Sequence, residues 1–186
     1  MPSRTLSTAD ERTDALVAAA VSVFARTGFH ATPVAAVAAE AGISTAYAFK
    51  LFESKIDLFI AAVDNCYERI VRTLRAAVRD DVSGTRALDD MGRAYAALIA
   101  DRSLLMLQVH ALAAASEPKI RAAVRRGTGN IVDMARAITG APDSEIREFM
   151  AVGQLCHLLT AVDAFALDDD WAHAMTEGIE HSAPHA

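Results

Sequence analysis

The chain has 186 residues, 53% hydrophobic and 23% charged, a balance that supports one or two folded domains with a real core. No apolar run approaches the roughly 18 residues needed to span a bilayer, and Met1 to Thr8 lack the apolar stretch of a secretory signal. A cytoplasmic protein without a membrane partner is expected. Cys66 and Cys156 are too few for a disulfide framework, and each lies in an apolar periodic segment, so both read as reduced, buried small hydrophobes. The net charge of −6 is unevenly spread. No Lys or Arg follows Arg147, and residues 148–186 hold seven carboxylates, so the remainder carries all 18 basic side chains against 17 acidic ones. A locally basic surface can still meet DNA.

Apolar residues recur at helical spacing and alanine is abundant, which predicts an all-α protein. The first helix is expected over 9–27, opened by the capping pattern of Thr8 and Glu11, with Gly28 as its left-handed stop. A second begins at Pro33 under a Thr32 cap and stops at Gly42. Ser44 caps a short third helix that reaches about Phe52, and Ser54 with Asp57 opens a long fourth to about Arg79. Residues 80–84 read as a boundary between lobes. Helices over about 86–100, 102–115, 118–139, 144–167 and 170–180 follow, with a frayed tail at 182–186.

The segment from Thr32 to Phe52 is helix, tight turn, helix. Gly42 permits a positive φ at the reversal, Ile43 points inward, and Ser44 leaves the N-terminal turn of the next helix facing outward. A helix-turn-helix uses this arrangement to present its second helix to the major groove.

Phe24-Ala25-Arg26-Thr27-Gly28-Phe29, Ala31 through Ser44, and Phe49-Lys50-Leu51-Phe52-Glu53-Ser54-Lys55-Ile56-Asp57-Leu58 carry a resemblance. Together they resemble the DNA-binding segment of the tetracycline-repressor (TetR) family. The resemblance covers about the first third of the chain. It implies an N-terminal helix-turn-helix lobe at 1–55 and a helical-bundle lobe for ligand binding and dimerisation at 56–186. By position it implies DNA contacts from Thr32, Ser44, Thr45, Ala46, Tyr47, Phe49, Lys50 and Lys55. Thr32 and Lys55 would hold phosphates, Lys50 a phosphate or base edge, and Thr45, Ala46 and Tyr47 the groove floor, with thymine methyls as apolar targets. Phe49 stands where the family usually has Tyr and cannot donate a hydroxyl. Arg4 and Arg12 are candidates for added contacts from the N-terminal arm.

Beyond residue 86 the chemistry must be read without motifs. The helix from 145 is apolar around most of its circumference, which implies burial on more than one side. Leu155, Leu158, Leu159, Val162, Phe165, Trp171 and Met175 are the expected dimer contacts, giving two recognition helices about 34–36 Å apart on an approximate palindrome. Met91, Tyr95, Met106, Gln108, His110, Phe149, Gln154 and His157 are the expected lining of an effector pocket, mostly apolar with a few polar groups, suited to a small hydrophobic or amphipathic molecule.

The expected function is a transcriptional repressor released by that effector. No catalytic set, metal cluster or cofactor motif is found. Ser116-Glu117-Pro118-Lys119 matches S-x-x-K without its companion motifs, His181 and His185 are separated by Pro184, and Gly127-Thr128-Gly129 follows no strand. Activation in place of repression stays open. So does a ligand-binding dimer whose DNA head has decayed.

Overall fold

The computed structural model describes residues 3–79 and 81–179, with side chains from residue 9 onward. The expectations for the side chains of Arg4 and Thr8, for Asp80 and for the tail lie outside these. The described residues form α1 (Ser3–Ala31), α2 (Val34–Glu40), α3 (Thr45–Leu51), α4 (Lys55–Ala77), α5 (Gly84–Ile99), α6 (Arg102–Ala113), α7 (Pro118–Thr139), α8 (Asp143–Ala161) and α9 (Asp170–Thr176), with a 3-10 turn at Ala164–Ala166 and no strand. The fold is all-α. No single helix among them is long and apolar enough to cross a membrane.

Contacts divide the chain into two compact units. The first holds residues up to Cys66 and Met106–Arg126; the second holds Tyr67–Leu105 and the residues from Gly127 on.

In the first unit, Leu16, Phe24, Leu58 and Phe59 are fully buried. Phe24 meets Phe59 edge-on with centroids 4.8 Å apart, and Phe29 approaches Phe59 at 5.1 Å, geometries that satisfy the ring quadrupoles. Gly28 breaks α1 with φ +74°, and a Cβ there would lie 2.8 Å from the His110 ring. Both backbone angle and space demand glycine. The helix starts before the Thr8–Glu11 pattern, so Thr8 lies inside it and is not its cap. The Ser54–Asp57 pattern does open α4: the Asp57 N–H donates to Ser54 Oγ (3.3 Å) and Ser54 donates to the Asp57 carboxylate (2.5 Å). That hydroxyl, helped by Lys119 and against some desolvation, holds the Asp57 carboxyl below its ordinary value.

In the second unit Ile70, Leu74, Met91, Ile99, Leu104 and Leu105 are buried, and α5 packs along α8. Gly127 lies flat against the Tyr67 ring, where any side chain would clash. Close packing accounts for this glycine. The apolar run expected as one helix to residue 167 is interrupted. α8 ends at Ala161, and Asp163 takes a left-handed conformation (φ 55°). Its carboxylate accepts from Arg102 at 2.7 Å. Asp tolerates this backbone region better than most residues, and the apolar pattern on either side hides the break.

Candidate nucleic-acid interface and ligand cavity

The turn between α2 and α3 is closed by two backbone bonds. Gly42 N–H donates to Ala39 O (3.1 Å) and Ile43 N–H to Ala38 O (2.9 Å), the paired pattern that ends a helix on a left-handed glycine. Gly42 has φ +67°. Ile43 is half-buried at the corner. Ser44 then caps α3, its Oγ accepting from the Tyr47 N–H at 3.2 Å.

Within α3 only Ala48 is buried. Ala46, Phe49 and Lys50 are exposed, and Thr45 and Tyr47 are half-buried. The Arg12 guanidinium from α1 sits 5.5 Å from the centre of the Tyr47 ring, within cation–π range. Phe49 is 48% exposed, a large apolar ring on a polar face. Lys55 donates to His30 O (3.1 Å) with its ammonium 4.9 Å from the Phe29 ring, tying the start of α4 to the end of α1.

Thr32 departs from expectation. It is buried, with its hydroxyl donating to Gly28 O (2.6 Å) and lying 2.5 Å from the Thr27 hydroxyl. Pro33, not Thr32, is the N-cap of α2. The Gly28 break points a free carbonyl at Thr32, which turns the hydroxyl inward and away from a phosphate.

In the second unit a cavity of about 460 Å³ lies between α5 and α8, lined on α5 by Thr85, Leu88, Asp89, Gly92, Arg93, Tyr95 and Ala96. Its α8 wall is Glu145, Glu148, Phe149, Val152, Gly153 and Cys156, and Gly178 with Ile179 completes it. Burial pushes the Cys156 thiol up from its ordinary value despite a hydrogen bond with Thr160, which keeps it protonated. Of the residues expected to line a pocket, Tyr95 and Phe149 do. Met91 is fully buried in the core, and Gln154 faces solvent. Met106, Gln108 and His110 belong to the first unit. His157 is buried against the Leu105 carbonyl, 3.2 Å from Nε2, and desolvation lowers its pKa below the ordinary 6.5. Apolar periodicity located these side chains on helices but not on the face that borders the void. Gly92 and Gly153 were the missed signal: two glycines in helices, each facing open or ordinary van der Waals space.

Of the expected dimer residues, Leu158, Val162, Trp171 and Met175 are exposed large hydrophobics, at 57%, 52%, 50% and 45%. Leu155 and Phe165 are half-buried. Leu159 is 2% exposed and belongs to the protomer's own core, because it lies on the inward side of the last turns of α8.

Residues 16–62 match the family model of bacterial regulatory proteins of the tetR family. A curated relative, the HTH-type transcriptional activator FasR of Mycolicibacterium smegmatis, is 27% identical over 124 residues. That match takes in 67% of this chain but only 57% of the relative's length. Among solved structures, the transcriptional regulator FadR of Bacillus subtilis in complex with stearoyl-CoA aligns with a TM-score of 0.70 at 15% identity, over 92% of this chain and 99% of that one. The fatty acid degradation regulator FadR of Bacillus halodurans gives 0.66 at 18%, over 92% and 97%. A TetR-like regulator of Rhodococcus sp. RHA1 gives 0.65 at 21%, over 90% and 92%. Residues 16–62 are thus of the tetR-family type, and the all-helical fold is shared with TetR-like regulators along nearly the whole chain.

Proposed function

We propose that the chain binds an approximately palindromic operator as a homodimer, represses from it, and is released by a small, largely apolar effector. The observation that carries the reading is the outward face of α3, a capped helix that buries only Ala48 and leaves Ala46, Phe49 and Lys50 outside. In this reading Ala46 and Tyr47 meet base edges and thymine methyls, and Lys50 and Lys55 meet phosphates. Arg12, held beside Tyr47, adds a backbone contact. Thr32 keeps the α1–α2 junction in shape. Phe49 contributes apolar contact without a hydroxyl.

The exposed Leu158, Val162, Trp171 and Met175 support a dimer, with Trp171 the side chain of the type that most often anchors an interface. The stearoyl-CoA held by the Bacillus subtilis neighbour supports an effector with a long apolar part. The cavity between α5 and α8 is the place proposed for it. The name of the Mycolicibacterium relative favours a second reading, in which the same DNA contact activates.

Selection from random duplex DNA tests the proposal. An approximate palindrome is enriched, Tyr47→Ala loses or changes the base preference, and Lys50→Ala weakens binding to all sequences and reduces the salt slope by about one. No enrichment at low salt overturns it.

A further inference from the structure

We infer that the cavity between α5 and α8 takes a cationic amphiphile, an ammonium or quaternary amine on an apolar body. The cavity, at about 460 Å³, falls in the range that encloses a drug-sized molecule. Leu88, Tyr95, Phe149, Val152 and Cys156 offer an apolar wall with two aromatic rings. Among the described residues the charged lining is one-sided: Asp89, Glu145 and Glu148 against Arg93. Arg93 is itself ion-paired with Asp90. Glu145 accepts only a neutral hydroxyl, from Thr85 at 2.9 Å, and neither Asp89 nor Glu148 makes an ion pair among the described residues. A cationic head gains from these carboxylates and from the ring faces. The phosphates of an acyl-CoA would meet like charge.

A second copy of the chain does not account for the cavity. The apolar part of its α8 wall, Phe149, Val152 and Cys156, lies about a third of a turn round the helix from the exposed Leu158 and Val162, with Glu148 at the edge between them. A Cβ at Gly92 meets nothing within 4 Å, so there is unfilled room on the α5 side.

The inference rests on the effector reading only for its consequence on DNA, so ligand binding is measured first without DNA. Calorimetric titrations of the full chain use decyltrimethylammonium, decanol and decanoyl-CoA below their micellar concentrations. Decyltrimethylammonium binds at least about tenfold tighter than decanoyl-CoA, a preference of the size that a few partly screened carboxylates supply. Asp89→Asn with Glu148→Gln removes most of that preference and leaves decanol unchanged. Gly92→Leu, which adds a side chain to open space and improves helix propensity, abolishes binding while retaining the thermal melt. Equal or tighter binding of decanoyl-CoA, or cation binding indifferent to Gly92→Leu, overturns the inference. The same ligands are then added to the operator complex. Cation binding without any change in DNA affinity overturns the effector reading and leaves the site. Release by decanoyl-CoA with no preference for the cation does the reverse.

Discussion

α3 and α8 both show large apolar side chains to solvent, and they do so for opposite reasons. α3 is a seven-residue helix that buries one alanine, so most of its surface has no role in holding the protein together. Its place is fixed at its ends, by the Gly42 turn and the Ser44 cap. α8 has 19 residues and three surfaces. One buries Ile146, His157 and Thr160, one borders the cavity through Phe149, Val152 and Cys156, and one exposes Leu158 and runs on to Val162 at the helix cap. A short capped helix can vary its outer residues at little cost to folding, which suits a reading head. A long helix shared among core, void and surface links any change on one side to the others.

The sharpest break in this comparison comes from two adjacent leucines on α8. Leu159→Ala removes a side chain with 2% exposure and costs about 2–5 kcal/mol of stability. Leu158→Ala, at 57% exposure, leaves protomer stability within about 0.5 kcal/mol but weakens self-association. Urea unfolding at low protein concentration and sedimentation across a concentration series separate the two. Equal destabilisation by both substitutions would erase the distinction between surfaces. Unchanged association in Leu158→Ala would remove the exposed stripe as a dimer contact.

The same contrast decides what was legible in the sequence. The head announces itself because its chemistry is local: a positive-φ glycine, a cap two residues later and a second cap at Ser54 sit at fixed offsets. Each is a backbone requirement that few residue types meet. Two local readings failed: Thr8 lies inside a helix that starts earlier, and Thr32 turns inward because the break four residues upstream at Gly28 leaves a carbonyl that its hydroxyl meets. The second unit offers no such offsets. An apolar run names a buried helix but not which neighbour buries which face, so Leu159 and Leu158 look alike until α8 is placed. The same holds for Met91 and Tyr95, of which only Tyr95 borders the void. The break at Asp163 is invisible because Asp in a left-handed turn looks like any polar residue on a helix.

A smaller effect tests the head. Ser44→Ala leaves the Tyr47 N–H without its side-chain acceptor and costs about 1 kcal/mol, read as a lowered melting temperature. Because α3 is fixed at its ends, operator affinity falls as well. Ser44→Asp restores the cap and the melting temperature but not the affinity, since in the proposed contact it places a carboxylate beside the DNA phosphates. Full recovery of DNA binding with Asp would mean that this end of α3 does not face the DNA backbone.

The smallest effect is a slope with pH, and it belongs to the buried surface of α8. His157 lies against the Leu105 carbonyl, which can only accept, so the neutral ring carries its proton on Nε2. Desolvation lowers its pKa below 6.5, outweighing the opposite pull of that carbonyl. Above pH 6.5 the ring is neutral in the folded and unfolded chain alike, and stability is complete. As the pH falls through 6.5 the unfolded chain takes up a proton that the folded chain refuses, so stability declines until the folded pKa is reached, then levels off. Denaturant midpoints at pH 7.5 and pH 5 therefore differ, with the acid side weaker, and His157→Gln removes part of that difference by keeping a neutral donor for Leu105. A pH slope unchanged in His157→Gln would assign it to the carboxylates instead, beginning with Asp57, whose lowered pKa loses its contribution only at more acid pH.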